Sequence, residues 1–168
     1  QSSWAESEAC FRQVVALWPG KVDALLCWAS VLRALGELDG ALAVATDAAN
    51  REPQNPVAMQ AWVEMAHAAG RWETTIKAGE AALTLAAEPA RIHIWMGQAH
   101  DALGQEEESL YHLHRAVKLA SEQVEGEAWL ALADFYERRQ QWGQLEQCLQ
   151  DGVRSVGEPR SAEMVFRQ

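Results

Sequence analysis

The sequence repeats itself at an interval of 34 residues, and this period constrains the fold more than any other feature. Gly36, Gly70 and Gly104 are spaced at that interval. Other residue types keep the same phase: Ala48, Ala82 and Ala116; Trp28 and Trp62; Pro19 and Pro53. Agreement between several residue classes predicts a chain built from one repeated supersecondary unit, in which each copy buries its apolar face against its neighbours.

Each period has the pattern of two helices joined by a tight turn. In residues 22–53 the first stripe with helical spacing is Ala24, Leu25, Trp28, Val31, Leu32 and Leu35. Gly36 is expected to end this helix, because glycine adopts the left-handed conformation at low cost. Asp39 is expected to cap the second helix, and Pro53 to stop it. In the third period, Glu106–Glu108 fall where the helix dipole favours negative charge, which predicts capping and not ligand binding.

This organisation resembles the tetratricopeptide-repeat (TPR) family. The best local match to its signature is Trp129, Leu132, Ala133 and Tyr136, with the intervals of the family pattern. The resemblance implies an all-α, right-handed α-solenoid of antiparallel helix pairs, with about ten helices in a single array over residues 1–168. The expected division is as follows: 1–21, the second half of a repeat; 22–55, 56–89 and 90–123, full repeats; 124–159, a divergent fourth repeat; 160–168, the start of a further helix.

The fourth repeat departs from the pattern in two ways. Its turn reads Arg139-Gln140-Gln141-Trp142, without a glycine. About two extra residues around Gln123 to Gly126 are also needed to restore the phase of the repeat. These departures predict either a looser junction before the fourth repeat or a longer helix there.

Most of the aromatic residues and thiols are expected to pack inside the array. Seven of the eight tryptophans fall on repeating positions, and Trp18 is the one expected to be exposed. Small residues such as Ala41 and Ala116 would let two helices approach closely. The three cysteines, Cys10, Cys27 and Cys148, form no CxxC pair and are expected to be buried free thiols. They leave the compartment open between cytoplasm and periplasm.

Charge and motifs exclude several classes of function. The net charge of −10 disfavours nucleic acid and anionic membrane surfaces, and no apolar run is long enough for a membrane helix. The sequence contains no P-loop, GxSxG or HExxH motif, so no catalysis and no cofactor are predicted. His112 and His114 are two residues apart and should point to different faces of a helix. His93 and His100 could share a face, but no cysteine completes a metal site, and none is predicted.

The resemblance to TPR proteins implies that the first helix of each repeat lines a concave groove. Such a groove would be partly apolar, with Val57 among its members and with acidic residues in excess, which suits a peptide offering apolar anchors and basic residues. A carboxylate clamp of the kind that binds chaperone tails is not expected, because the comparable positions carry no basic residue. The predicted groove residues are Asp23, Leu26, Ser30, Arg33, Gln60, Glu64, His67, Arg91, Ile94, Gln98, Asp101, Glu127, Leu130, Asp134 and Glu137.

Three functions remain open from the sequence. The leading hypothesis is a scaffold that binds a protein or peptide segment in the concave groove. The second is a structural or spacer array that self-associates end to end through Trp4, Phe11 and Phe166. The third is a regulatory or substrate-presenting arm of a larger enzyme, such as a glycosyltransferase, a class in which such arrays occur.

Overall fold

The computed structural model describes residue 13 and residues 21–157 of the chain. Within them the protein forms eight α-helices and no strand, which confirms the all-α class. Their bounds are α1 Val22–Leu35, α2 Leu38–Arg51, α3 Pro56–Ala68, α4 Trp72–Leu83, α5 Pro89–Ala102, α6 Glu106–Leu119, α7 Glu125–Arg138 and α8 Trp142–Gly157. Eight helices stand here against the predicted ten or so. The two others were expected in residues 1–21 and 160–168. Of these residues the structure describes only Gln13 and Lys21. The predictions for Trp4, Cys10, Phe11, Trp18 and Phe166 therefore lie outside the described residues.

The helix starts reproduce the period of the sequence. The first helices of the four pairs begin at residues 22, 56, 89 and 125, and the second helices at 38, 72, 106 and 142. The last interval is 36 in both series, so two extra residues enter between the start of α6 and the start of α7. This is the region in which the sequence predicted them.

The turn within each pair uses the left-handed conformation. Gly36, Gly70 and Gly104 have φ of 81°, 64° and 75°, as the sequence predicted. Gln140 takes the same role in the fourth pair with φ of 56°. Its amide donates to the Glu137 carbonyl at 2.9 Å, like the Gly104 amide to the Asp101 carbonyl at 3.0 Å. The fourth turn therefore keeps the geometry of the others without a glycine.

Helix capping differs from the prediction at one position. Asp39 is not a cap, because α2 starts at Leu38 with Glu37 as its N-cap residue, and Asp39 lies inside the first turn. Its carboxylate instead accepts from Arg71 at 2.8 Å. Glu106–Glu108 do occupy the first turn of α6, as predicted.

The first compact unit, residues 1–87, contains α1 to α4. Helix α1 packs on α2, α2 on α3 and α3 on α4, and α1 also contacts α3. Ala41, Ala45 and Ala48 are fully buried, which allows the close helix packing expected of small residues. Its main core cluster consists of Val22, Leu25, Ala29, Leu32, Ala41, Val44, Ala45, Ala48, Ala58 and Met65.

The second compact unit, residues 88–168, contains α5 to α8. Helix α5 packs on both α6 and α7, and α7 packs on α6 and α8. Phe135, Leu113 and Val124 lie at its centre and are almost fully buried. Val124 belongs to the connection before the fourth repeat, and the neighbouring Ala120 is also buried. This connection is therefore packed and not loose. Helix α7 has the same 14 residues as α5, but α6, which leads into the connection, has 14 residues against 12 in α4.

Two expectations about burial are wrong. Cys27 is exposed, because it lies on the face of α1 opposite the core residues Leu25 and Ala29. Trp142 is 60% exposed, because it opens α8 ahead of the stripe that packs on α7. Cys148 is buried, as expected. The other described tryptophans are partly buried: Trp28, Trp62, Trp72, Trp95 and Trp129.

Candidate binding surfaces

A groove between α1 and α3 brings together several of the predicted residues of the first unit. Its floor is apolar, because Ala29 and Met65 are buried beneath it and Leu26 is half-buried. The enclosed volume is about 230 Å³. We call it the α1–α3 groove, and its lining is Leu26, Ala29, Ser30, Val57, Gln60, Ala61, Glu64 and Met65.

Polar groups on both helices border this groove. Arg33 of α1 and Glu64 of α3 form an ion pair at 3.3 Å, with 48% and 34% of their side chains exposed. The Ser30 hydroxyl donates to the Leu26 carbonyl at 3.0 Å. Val57 is 62% exposed, so the groove offers an apolar side chain directly to a partner. The arrangement suits an apolar anchor with a polar neighbour on each side.

Three predicted residues of the first unit lie outside the groove lining: Arg33, which borders it through the ion pair with Glu64, and Asp23 and His67. Asp23 is exposed at the start of α1. His67 is half-buried, and its ring meets that of Trp72 edge-on with centroids 5.8 Å apart.

Ion pairs involve three predicted residues of the second unit: Arg91, Asp101 and Glu127. Arg91 lies 3.6 Å from the Glu127 carboxylate. The Asp101 carboxylate is only 6% exposed and is held by Arg138 at 2.9 Å and Arg139 at 2.6 Å. Asp101 is therefore a structural anchor between α5 and the end of α7, not an open groove residue.

The remaining predicted residues of the second unit divide between core and surface. Ile94 is only 5% exposed and belongs to the core cluster, because α5 is covered by both α6 and α7. It is therefore not a surface position. Gln98 is half-buried, whereas Asp134 and Glu137 are exposed and Leu130 is 62% exposed.

A second groove, between α7 and α8, was missed by the sequence reasoning except for Leu130. Gly152 of α8 lies close to the Trp129 ring of α7, since a Cβ at Gly152 would be 3.1 Å from that ring. Burial raises the pKa of the Cys148 thiol, which keeps this wall of the groove uncharged. The stripe of apolar residues and glycine along α8 was the available signal. We call it the α7–α8 groove. It is an open groove of about 390 Å³, lined by Gly126, Trp129, Leu130, Cys148, Leu149, Gly152 and Val153.

Three histidines meet where α5 packs on α6, and we call them the histidine cluster: His93, His100 and His112. The Nδ1 atoms of His93 and His112 are 2.8 Å apart, within hydrogen-bond distance. The ring of His100 stacks on that of His112 with centroids 5.2 Å apart and an angle of 8°. His114 points elsewhere, to the Tyr136 hydroxyl at 3.3 Å, so the prediction that His112 and His114 face differently is confirmed.

Burial is the main influence on the protonation of this cluster. It lowers the pKa of His112 to about 4, with further contributions from His93 and His100. Burial also lowers the pKa of His93, helped by the positive charge of Arg115. Both imidazoles are therefore neutral at pH 7. The sequence concealed this cluster because His93 and His112 come together only when α5 and α6 fold back at the turn near Gly104.

Within the described residues, no group of three or more His, Cys, Asp or Glu could hold a metal ion. None of the helices in residues 21–157 is both long enough and apolar enough to cross a membrane.

Comparison with known proteins identifies the fold. No protein-family profile and no curated protein sequence matches the chain. Solved structures do match it. MamA residues 41-end from Desulfovibrio magneticus RS-1 is 17% identical, with a TM-score of 0.78 over 99% of this chain and 89% of that one. TTC0263, a thermophilic TPR protein of Thermus thermophilus, is 17% identical, with a TM-score of 0.71 over 97% and 88%. YrrB, described as a TPR protein with an unusual peptide-binding site, is 17% identical, with a TM-score of 0.64 over 86% and 73%.

These likenesses and the 34-residue helix pairs define a helical-repeat protein. The chain has the tetratricopeptide-repeat fold, as its resemblance to the family implied.

Proposed function

We propose that this chain is a protein-interaction scaffold that binds a peptide or protein segment in the α1–α3 groove. The observation that carries the proposal is the meeting of Leu26, Val57 and Glu64 around one concavity. An apolar side chain of the partner would enter between Leu26 and Val57. A Lys or Arg of the partner would approach Glu64. YrrB offers a precedent for peptide binding on this fold.

The same residues explain why such a groove can bind without a catalytic group. Leu26 and Val57 leave apolar surface in contact with water, and its burial by a partner is favourable. Gln60 and Ser30 supply hydrogen-bonding groups beside that surface. The Arg33–Glu64 pair is partly exposed, so its exchange for a pair with the partner costs little.

Glu64→Lys is expected to weaken peptide binding by about tenfold or more, because it reverses the charge beside the apolar floor. Peptides would first be selected from a random displayed library against the whole chain. Their affinities for the parent chain and the variant would then be measured by calorimetry. The selected peptides should combine apolar residues with Lys or Arg.

Glu80→Lys is the matched control, since Glu80 is exposed on α4 and does not line the groove. It makes the same change in net charge and should leave the affinity unchanged. Equal losses of affinity in the two variants would mean that the net charge of the chain, and not the position of Glu64, causes the effect. Unchanged binding in both would contradict the proposed site.

A second candidate function is self-association through the α7–α8 groove. The observation that favours it is exposed apolar surface on both walls: Leu130, Leu149 and Val153 are 62%, 49% and 73% exposed. Apolar surface of this kind on adjacent helices commonly marks an interaction site.

Val153→Glu is expected to abolish any association of the chain with itself, because the carboxylate would have to be buried in the contact. Light scattering coupled to size exclusion over a hundredfold concentration range would measure the mass. Val57→Glu is the control, since Val57 is similarly exposed but lies in the first unit. A mass that stays at the monomer value for the unsubstituted chain excludes this function and leaves the scaffold proposal unaffected.

A further inference from the structure

We propose that the histidine cluster is a proton-sensitive switch in the second unit, which loosens α5 from α6 when the pH falls from 7 to about 5. Such a switch would let acidification act on the second unit alone. It is independent of the proposed function, because the α1–α3 groove lies in the first unit.

The geometry of the cluster cannot accommodate full protonation. The hydrogen bond between the two Nδ1 atoms of His93 and His112 requires one donor and one acceptor. Two imidazolium rings would each present a donor and place like charges 2.8 Å apart. His93 and His100 are only 6% and 9% exposed, so water reaches them poorly.

The charged groups around the cluster offer little compensation. On α6, Arg115 is positive and acts against protonation of His93. On α5, Arg91 is paired with Glu127 of α7, and Asp101 is held by Arg138 of α7 and by Arg139, which follows it. Neutral groups also contact the cluster: His100 Nδ1 lies 2.6 Å from the Gln105 amide oxygen, and Tyr111 lies edge-on to His112.

The packing between α5 and α6 is so tight that a small displacement of a side chain would separate the helices locally. Gly97 lies between His93 and His100 on α5. A Cβ at Gly97 would be 2.8 Å from Leu113 of α6, so the helices already approach as closely as a glycine permits. A displaced imidazole or an entering water therefore has no spare volume and must separate the helices locally.

The direction of the pH effect follows from the lowered pKa values. An unfolded or opened histidine takes up a proton near its ordinary pKa of about 6.5. In the closed cluster, His112 takes up a proton only near pH 4, because its pKa is lowered to about 4. Stability is therefore intact above about pH 6.5 and falls as the pH drops from there towards 4.

The test is hydrogen exchange of the whole chain, read by mass spectrometry at pH 7 and pH 5 and corrected for intrinsic rates. For peptides from α5 and α6, the equilibrium constant for local opening should be about tenfold larger at pH 5 than at pH 7. This figure allows for partial solvent contact of the rings. Peptides from α1 and α2 should change much less. The double variant His93→Asn, His112→Asn should remove the excess, because an Asn amide can supply a donor or acceptor near the Nδ1 position without titrating.

His114→Asn is the control, as it removes an imidazole two residues from His112 but outside the cluster. It should keep the parent response. The switch is overturned if the double variant retains the tenfold excess or if His114→Asn removes it. Should the double variant fail to fold, NMR titration of the unsubstituted chain decides: titration of His112 near pH 6.5 overturns the proposal, and titration well below it supports it.

Discussion

Asp101→Ala is expected to lower the free energy of unfolding by about 3 kcal/mol, because it removes the shortest ion pair of the largely buried Arg139. The Asp101 carboxylate joins Arg138 and Arg139 at 2.9 and 2.6 Å. Arg139 is only 16% exposed on its side chain and lies over the Phe135 ring, with its Cζ atom 3.7 Å from the ring centroid. Loss of the acid leaves this guanidinium with Glu106 as its remaining ion-pair partner. Urea denaturation followed by circular dichroism measures the effect.

Asp39→Ala is the matched control for that experiment. Asp39 also pairs with an arginine, Arg71, at 2.8 Å, but both side chains are more than half exposed. Exposed pairs contribute little, so this variant should unfold at nearly the same urea concentration as the parent. If the two variants lose the same stability, burial of the Asp101 pair is not what makes it important.

Gly97→Ala is expected to cost about 2 kcal/mol, because the added methyl group has no room between α5 and α6. A Cβ there would lie 2.8 Å from Leu113 Cγ, 2.9 Å from its Cδ2 atom and 3.3 Å from the Ser109 carbonyl oxygen. Leu113 is itself almost fully buried and cannot move aside into water. Thermal and urea unfolding both measure the loss.

Two further variants separate crowding from the general effect of glycine in a helix. Gly143→Ala adds the same methyl group to α8, where nothing lies within 4 Å, and should stabilise the chain by about 0.5–1 kcal/mol. Combining Gly97→Ala with Leu113→Ala should cost less than the sum of the two single changes, because the cavity accepts the methyl group. The close approach of the helices would be contradicted if the two stability losses were additive. It would also be contradicted if Gly97→Ala left the free energy of unfolding unchanged.

The repeat architecture was predictable because it depends on local signals that recur. The glycines at 36, 70 and 104 end their helices as expected, since a left-handed residue is needed there whatever surrounds it. Gln140 shows the limit of that reasoning. The turn geometry is set by the helix pair around it, and glutamine tolerates a conformation that sequence alone would assign to glycine.

The candidate sites were less predictable because they depend on which helices cover each face. Leu26 and Ile94 occupy equivalent positions two periods apart, yet Leu26 borders a groove and Ile94 is buried. The difference arises because α5 is covered by α6 and α7 together. Likewise, nothing near His93 in the sequence indicates His112, which arrives from across the turn.

The ion pairs that link the first helices of neighbouring repeats set the cost of admitting a partner. Arg33–Glu64 joins α1 to α3, and Arg91–Glu127 joins α5 to α7. A basic partner that engages Glu64 or Glu127 must release the arginine already there, so the number of charge pairs stays the same. Added salt screens the old and new pairs alike. Affinity on these surfaces should therefore be nearly independent of ionic strength, and discrimination between basic partners would come from the shape of the apolar anchor.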